Sequence, residues 1–252
     1  MIERRQEGHV TVLQLNHGKA SALDLELLDA AEVELRRAER DAAAVVLTGT
    51  GAIFSAGVDL FRVLEEGEGY LRRFLPALAR VCERMVSFPR PLVAALNGHA
   101  LAGGWVFACA CDYRILADGN GRLGVPELQV GVAFPPIALE AVRQGTPRHL
   151  LDAMIFGGRT YTAEEAERER LVEEVVPAGV LLARAVQVAE GMARIPPEAY
   201  RLTKLQLRRP SLERAAAAAA TAAEVEEQWV SPEATASIRA YLDRVVRKSA
   251  RG

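Results

Sequence analysis

Residues 99–112 read HALAGGWVFACACD: two glycines, Gly103 and Gly104, stand at the head of an apolar run shaped like a buried helix. Glycine costs a helix about 1 kcal/mol relative to alanine. The pair therefore marks either close packing or a ligand that needs bare backbone N–H groups. The first turn after the glycines, Trp105, Val106 and Phe107, holds no acid or base. Just upstream, LVAAL (92–96) reads as a short buried strand, and PRP (89–91) ends the segment before it. Just downstream, DYRILADG (112–119) reads as strand into turn.

The same alternation continues outward. Towards the N-terminus, a helical pattern covers roughly 70–87, preceded by the loop GTGAIFSAGVDL and the strand VVLT (45–48). A helix over about 24–40 follows the loop NHGKASALD and the strand HVTVLQL (9–15). Towards the C-terminus, GRLGVPELQVGVAFPP is loop-rich with one short strand, and helices follow at about 137–144 and 148–156. Thr162 and Glu165 form a capping box for a helix beginning near 163, and LVEEVV (171–176) is a last strand. From 180 onward the pattern is helical, punctuated by Pro196-Pro197, Pro210 and Pro232, with an alanine-rich block at 215–223. Strands alternating with helices make an α/β fold with one core and no separating linker.

Bulk properties exclude several function classes. The 252 residues are half apolar and a quarter charged, with a net charge of −2, which gives no reason to expect nucleic acid or an anionic membrane as partner. No apolar run approaches a membrane span, and MIERRQEGHV lacks a secretory signal's apolar core, so a cytoplasmic protein is expected. Cys82, Cys109 and Cys111 are expected as buried thiols. The four histidines are scattered, so no metal is expected.

Both glycine loops lie between a strand and a helix. In GTGAIFSAGVDL a dinucleotide fingerprint fails because Phe54 stands where glycine is needed, and no Walker sequence follows. What remains, Ser55-Ala56-Gly57-Val58-Asp59, brings backbone close to something and turns into a helix. Helix starts carry unpaired N–H groups with partial positive charge, and two facing starts would make an oxyanion hole. Taken alone, the first loop reads sooner as a tight strand-to-helix turn and the second as readily as close packing of strand on helix, so neither is specific by itself.

Together the motifs say more. IFSAGVDL, PRPLVAALNGHALAGG, CDYRILADG and LGVPELQVG, in this order and spacing, resemble the enoyl-CoA hydratase/isomerase (crotonase) superfamily from residue 9 to about 177. The resemblance implies a crotonase-like spiral of ββα units, here residues 1–195, with a helical trimerisation region over 196–252 in the same unit. It implies a homotrimer or dimer of trimers acting on acyl-coenzyme A thioesters, with no cofactor beyond the coenzyme A of the substrate. It places the oxyanion donors on the N–H groups of Val58 and Gly103, the latter in what is usually a three-glycine run; here the first glycine is Ala102. Lys19, Ala20 and Ala22, with Ser55, Ala56, Gly57, Asp59, Leu60 and Gly104, become candidate substrate and coenzyme contacts. On the residues themselves, Asp59 reads as a helix cap and Lys19 as a free surface lysine; the resemblance places Lys19 in the loop that contacts the coenzyme's nucleotide end, where a cation suits phosphate. Trp105, Val106 and Phe134 are candidate acyl-pocket residues.

Hydratases of this superfamily usually place one glutamate three residues after the middle glycine and a second in the later Pro-Glu motif. The first position is Val106 here and the second is Glu127. Hydration shares its proton transfers well between two carboxylates, whereas moving a double bond from the 3 to the 2 position needs one base acting at C2 and C4. The passage 111–136 looks most like mitochondrial-type Δ3,Δ2-enoyl-CoA isomerases, which keep only the later glutamate. Pro135 stands where other branches place a further acid. Glu127 is thus expected as proton shuttle, its pKa raised if Val106, Leu128 and Val130 surround it. A one-carboxylate hydratase or thioester hydrolase, and an acyl-CoA-binding protein without turnover, are the alternatives.

Overall fold

A computed structural model describes residues 1–249. The chain forms β1 (Ile2–Glu7), β2 (Val10–Leu15), α1 (Leu25–Asp41), β3 (Ala44–Thr48), β4 (Ile53–Ser55), α2 (Leu60–Glu66) and α3 (Glu68–Val86). Next come β5 (Leu92–Leu96), β6 (His99–Leu101), α4 (Gly103–Ala110), β7 (Tyr113–Ala117), β8 (Leu123–Gly124) and α5 (Glu127–Val130). Then follow α6 (Pro136–Gly145), α7 (Arg148–Ile155), α8 (Ala163–Arg168), β9 (Glu174–Val176), α9 (Leu181–Ala193), α10 (Pro197–Ala217), α11 (Ala219–Val230) and α12 (Pro232–Ser249).

The strands form two sheets. A six-stranded sheet runs β1-β2-β3-β5-β7-β9, parallel throughout except for β1 against β2; a three-stranded parallel sheet runs β4-β6-β8. The chain visits them in turn: β3, β4 and then α2–α3; β5, β6 and then α4; β7, β8 and then α5. That is a repeating strand–strand–helix coil. Parallel strands covered on both faces should be continuously apolar, and β3 and β5 are. Val45, Leu47, Leu92, Ala94 and Leu96 join the main core, while Ala44, Val46, Val93 and Ala95 face a second core closed by α9.

The structure departs from the sequence expectations in definite ways. β1 carries four charged residues in six, and it pairs antiparallel to β2 at the sheet edge, where charge blunts further pairing. β4, β6 and α5 are too short to leave a periodic signal. The last strand is shorter than 171–176 because Leu171 and Val172 are buried in the main core before it begins. Pro210 does not punctuate: α10 runs through it, and the alanine-rich block instead breaks at Ala218. The C-terminal helices share the main core through Val225, Trp229, Ala234 and Ile238.

Candidate active site

The two glycine turns meet. Gly57 adopts φ +84°, and a side chain there would reach within 2.5 Å of the Ala102 Cβ and 2.9 Å of the Gly103 nitrogen. Gly103 lies under the Leu23 side chain, and Gly104 lies against the Ser55 carbonyl, where a Cβ would approach to 2.4 Å. Close packing is what brings the two helix starts face to face.

Leu23 orients the first donor. Its N–H donates to Gly57 O (2.7 Å) and its carbonyl accepts from Asp59 N (3.0 Å), so the intervening Val58 turns its own amide away from that partner. Ala102 holds the second turn with φ +50°, a left-handed conformation for a non-glycine residue, while its N–H donates to Gly124 O (2.8 Å). Gly103, the first residue of α4, has no preceding turn to donate to. Among the described residues neither the Val58 nor the Gly103 N–H has an acceptor.

Glu127 opens α5, with Val130 buried beside it and Leu128 and Gln129 facing out. Gly131 closes this single turn at φ +91°. The Glu127 side chain is buried, and its Oε2 has no hydrogen-bond partner among the described residues. Burial pushes its pKa up to about 8. The apolar surroundings differ from those expected: Leu128 is exposed, and Val130 and Val132 with Pro126 form the wall around the carboxyl.

A cavity of about 80 Å3 joins these parts. Ala56, Val58, Leu60 and Ala102 line one side, Glu127 and Val130 another, and Trp229 and Tyr241 from the C-terminal helices complete it. Trp105, Val106 and Phe134, the candidate acyl-pocket residues, are not among those that line it. α4 is apolar all round and buried on every face, so Trp105 and Val106 are spent in the main core with Phe134. Ser55 is structural: its hydroxyl donates to Ser21 O (2.7 Å) and accepts from Gly57 N (3.2 Å). Asp59 caps α2 by accepting from Arg62 N (3.0 Å). Lys19 is exposed and Ala20 and Ala22 half-buried, on a loop tied to the first turn by Ala56 N donating to Ala20 O (3.0 Å). The sequence reading missed Trp229 and Tyr241, because no local pattern says which helix returns to the site.

Residues 5–248 match the family model described as enoyl-CoA hydratase/isomerase. The chain belongs to the enoyl-CoA hydratase/isomerase family. Among its relatives, a putative enoyl-CoA hydratase of Thermus thermophilus is 36% identical over 207 residues, 79% of this chain and 80% of that one. The mitochondrial enoyl-CoA delta isomerase 1 of Rattus norvegicus is 27% identical over 213 residues, 83% of this chain and 74% of that one. The crystal structure of human mitochondrial Δ3-Δ2-enoyl-CoA isomerase superposes with a TM-score of 0.90 at 26% identity, covering 98% of each chain. As a hydratase/isomerase-family enzyme the chain has the family's α/β fold, and the family contains hydratases and isomerases alike. Among the described residues no three His, Cys, Asp or Glu side chains gather as a metal site, and no helix is long and apolar enough to cross a membrane.

Proposed function

We propose that this enzyme is a Δ3,Δ2-enoyl-CoA isomerase with Glu127 as its single base. The observation that carries the reading is one unpartnered carboxyl in an apolar cavity, with Val106, at the position of a hydratase's other acid, spent in the core. The likeness to the human isomerase structure supports it. The Glu127 carboxylate removes a proton from C2 of a 3-enoyl thioester, and the electron pair moves onto the thioester oxygen to give a dienolate. The Val58 and Gly103 N–H groups stabilise that oxygen; losing one such donor typically costs 10²–10³ in rate. Glu127 then returns the proton to C4, the enolate re-forms the carbonyl, and the double bond lies between C2 and C3.

In this reading the coenzyme A moiety runs along the 19–22 loop, where Lys19 offers a cation for phosphate. No further cofactor takes part, and the reaction is cytoplasmic. The assembly is a homotrimer or dimer of trimers, supported by the apolar side chains Leu202 and Leu207 that α10 leaves exposed.

Hydration remains the second reading, favoured by the name of the 36% identical Thermus relative. The test is incubation with 3-enoyl-CoA and, separately, 2-enoyl-CoA, with products identified by chromatography and mass. Conversion of the 3-enoyl to the 2-enoyl thioester, lost in Glu127→Gln, is expected. A product heavier by one water overturns the isomerase in favour of the hydratase, and binding without any product means an acyl-CoA-binding protein without turnover.

A further inference from the structure

The C-terminal helices supply part of the cavity wall. α12 packs on both α2, which follows Val58, and α5, which carries Glu127. It therefore bridges the oxyanion side and the base side of the site. Trp229 is 2% exposed, and its Nε1 donates to Ala133 O at 2.8 Å, which fixes the indole as a rigid wall. Tyr241 is half-buried and lines the same cavity, and on it the Arg244 guanidinium lies 5.3 Å from the ring centre. The space, about 80 Å3, holds roughly five to eight groups the size of a water, at about 10–15 Å3 of such volume each. Its lining carries one ionisable acid, Glu127, and is otherwise aliphatic and aromatic.

We infer that Trp229 and Tyr241 set an upper limit on acyl length, so that the pocket takes short, unbranched acyl groups of about four to six carbons and excludes chains of about ten. Of the two, Tyr241 is the adjustable wall, because the indole of Trp229 is tied to the 131–133 loop, whereas among the described residues the phenol ring is held by packing and the neighbouring guanidinium. This rests on the acyl-thioester reading but not on which reaction follows binding.

The test measures dissociation constants for saturated acyl-CoA thioesters, butyryl through dodecanoyl, which bind without isomerising. In water longer chains gain affinity for any open apolar groove, so a loss with length is the mark of a closed end. One methylene too many or too few in an apolar pocket changes discrimination by roughly 10–200-fold. Wild-type affinity should fall at least tenfold from hexanoyl to decanoyl. In Tyr241→Ala the decanoyl-to-hexanoyl affinity ratio should rise at least tenfold. Tyr241→Leu, which keeps an apolar side chain against the core, should show a smaller rise in the same direction. Wild-type binding of dodecanoyl-CoA as tight as butyryl-CoA, or a ratio unchanged within about twofold in both variants, overturns the proposal. Failure of every acyl-CoA to bind overturns the thioester reading and the proposal with it.

Discussion

Glu127 is a carboxylate that the fold resists. With its pKa raised from 4.5 to about 8 by burial alone, it is mostly neutral at pH 7 in the free enzyme. On the proposed isomerisation Glu127 must be ionised to act, so kcat/KM for a 3-enoyl thioester should rise about tenfold per pH unit below 8 and level off above it. A pH–rate profile in the wild type checks this. The sign for stability is opposite. Between pH 4.5 and 8 the folded state holds a proton that the unfolded chain has lost, so wild-type stability falls as pH rises, by about 1.4 kcal/mol per unit. Glu127→Gln removes the penalty. Its stability advantage should be near zero at about pH 4.5, grow with pH and stop growing above about 8, as read from denaturant unfolding across the range.

Gly57 bears a different load. It combines a left-handed φ with contact to Ala102 and the Leu101 carbonyl, where a Cβ would sit at 2.8 Å, and backbone cannot move aside as a flexible side chain can. Gly57→Ala should lower kcat by 10²-fold or more and cost about 2 kcal/mol of stability, since it pushes the two donor-bearing turns apart. Turnover and thermal unfolding measured together check both. Ala102 shows the same strain already present, since φ +50° in a non-glycine residue costs on the order of 1–3 kcal/mol.

At the scale of elements, a single four-residue turn carries Glu127, and α11 and α12 hold that turn. Gln228 Nε2 donates to Gly131 O (2.8 Å) and its Oε1 accepts from Ala133 N (3.0 Å), while Ser237 packs against Gly131. A helix this short has no stability of its own. Gln228→Ala should therefore cost about 1–2 kcal/mol and lower kcat several-fold, because the carboxyl is no longer held in place. Faster amide exchange at 131–133, with little change in KM, is the signature to measure.

The whole molecule is joined across its sheet end by Asp112. Its carboxylate accepts from Leu92 N (2.9 Å), Tyr200 OH (2.8 Å), Lys204 Nζ (2.7 Å) and an Arg208 nitrogen (3.3 Å). These bonds pin α10 to the junction of β5 and β7. Burial pulls the Lys204 pKa below its ordinary value despite the carboxylate beside it. Lys204→Met should cost about 3 kcal/mol in denaturant unfolding, since a buried acidic charge loses its nearest counter-charge. Glu127 chemistry should be disturbed far less than stability, because the cluster is not part of the cavity lining.

What the sequence by itself determined was the strand–glycine–helix rhythm, the family, the two donor-bearing turns and the one acid. Each is a local matter. Apolar runs of strand length, glycines before helices and a capping Asp59 write their conformation into neighbouring residues. The tertiary structure alone decided which apolar residues face the base. Trp105, Val106 and Phe134 are buried in the main core and lie outside the lining of this cavity. Trp229 and Tyr241, about a hundred residues beyond Glu127, returned to line the cavity. Burial is a property of the packed whole, so a side chain's role as wall or core cannot be read from its own segment, and neither can the charge state of Glu127 that burial sets.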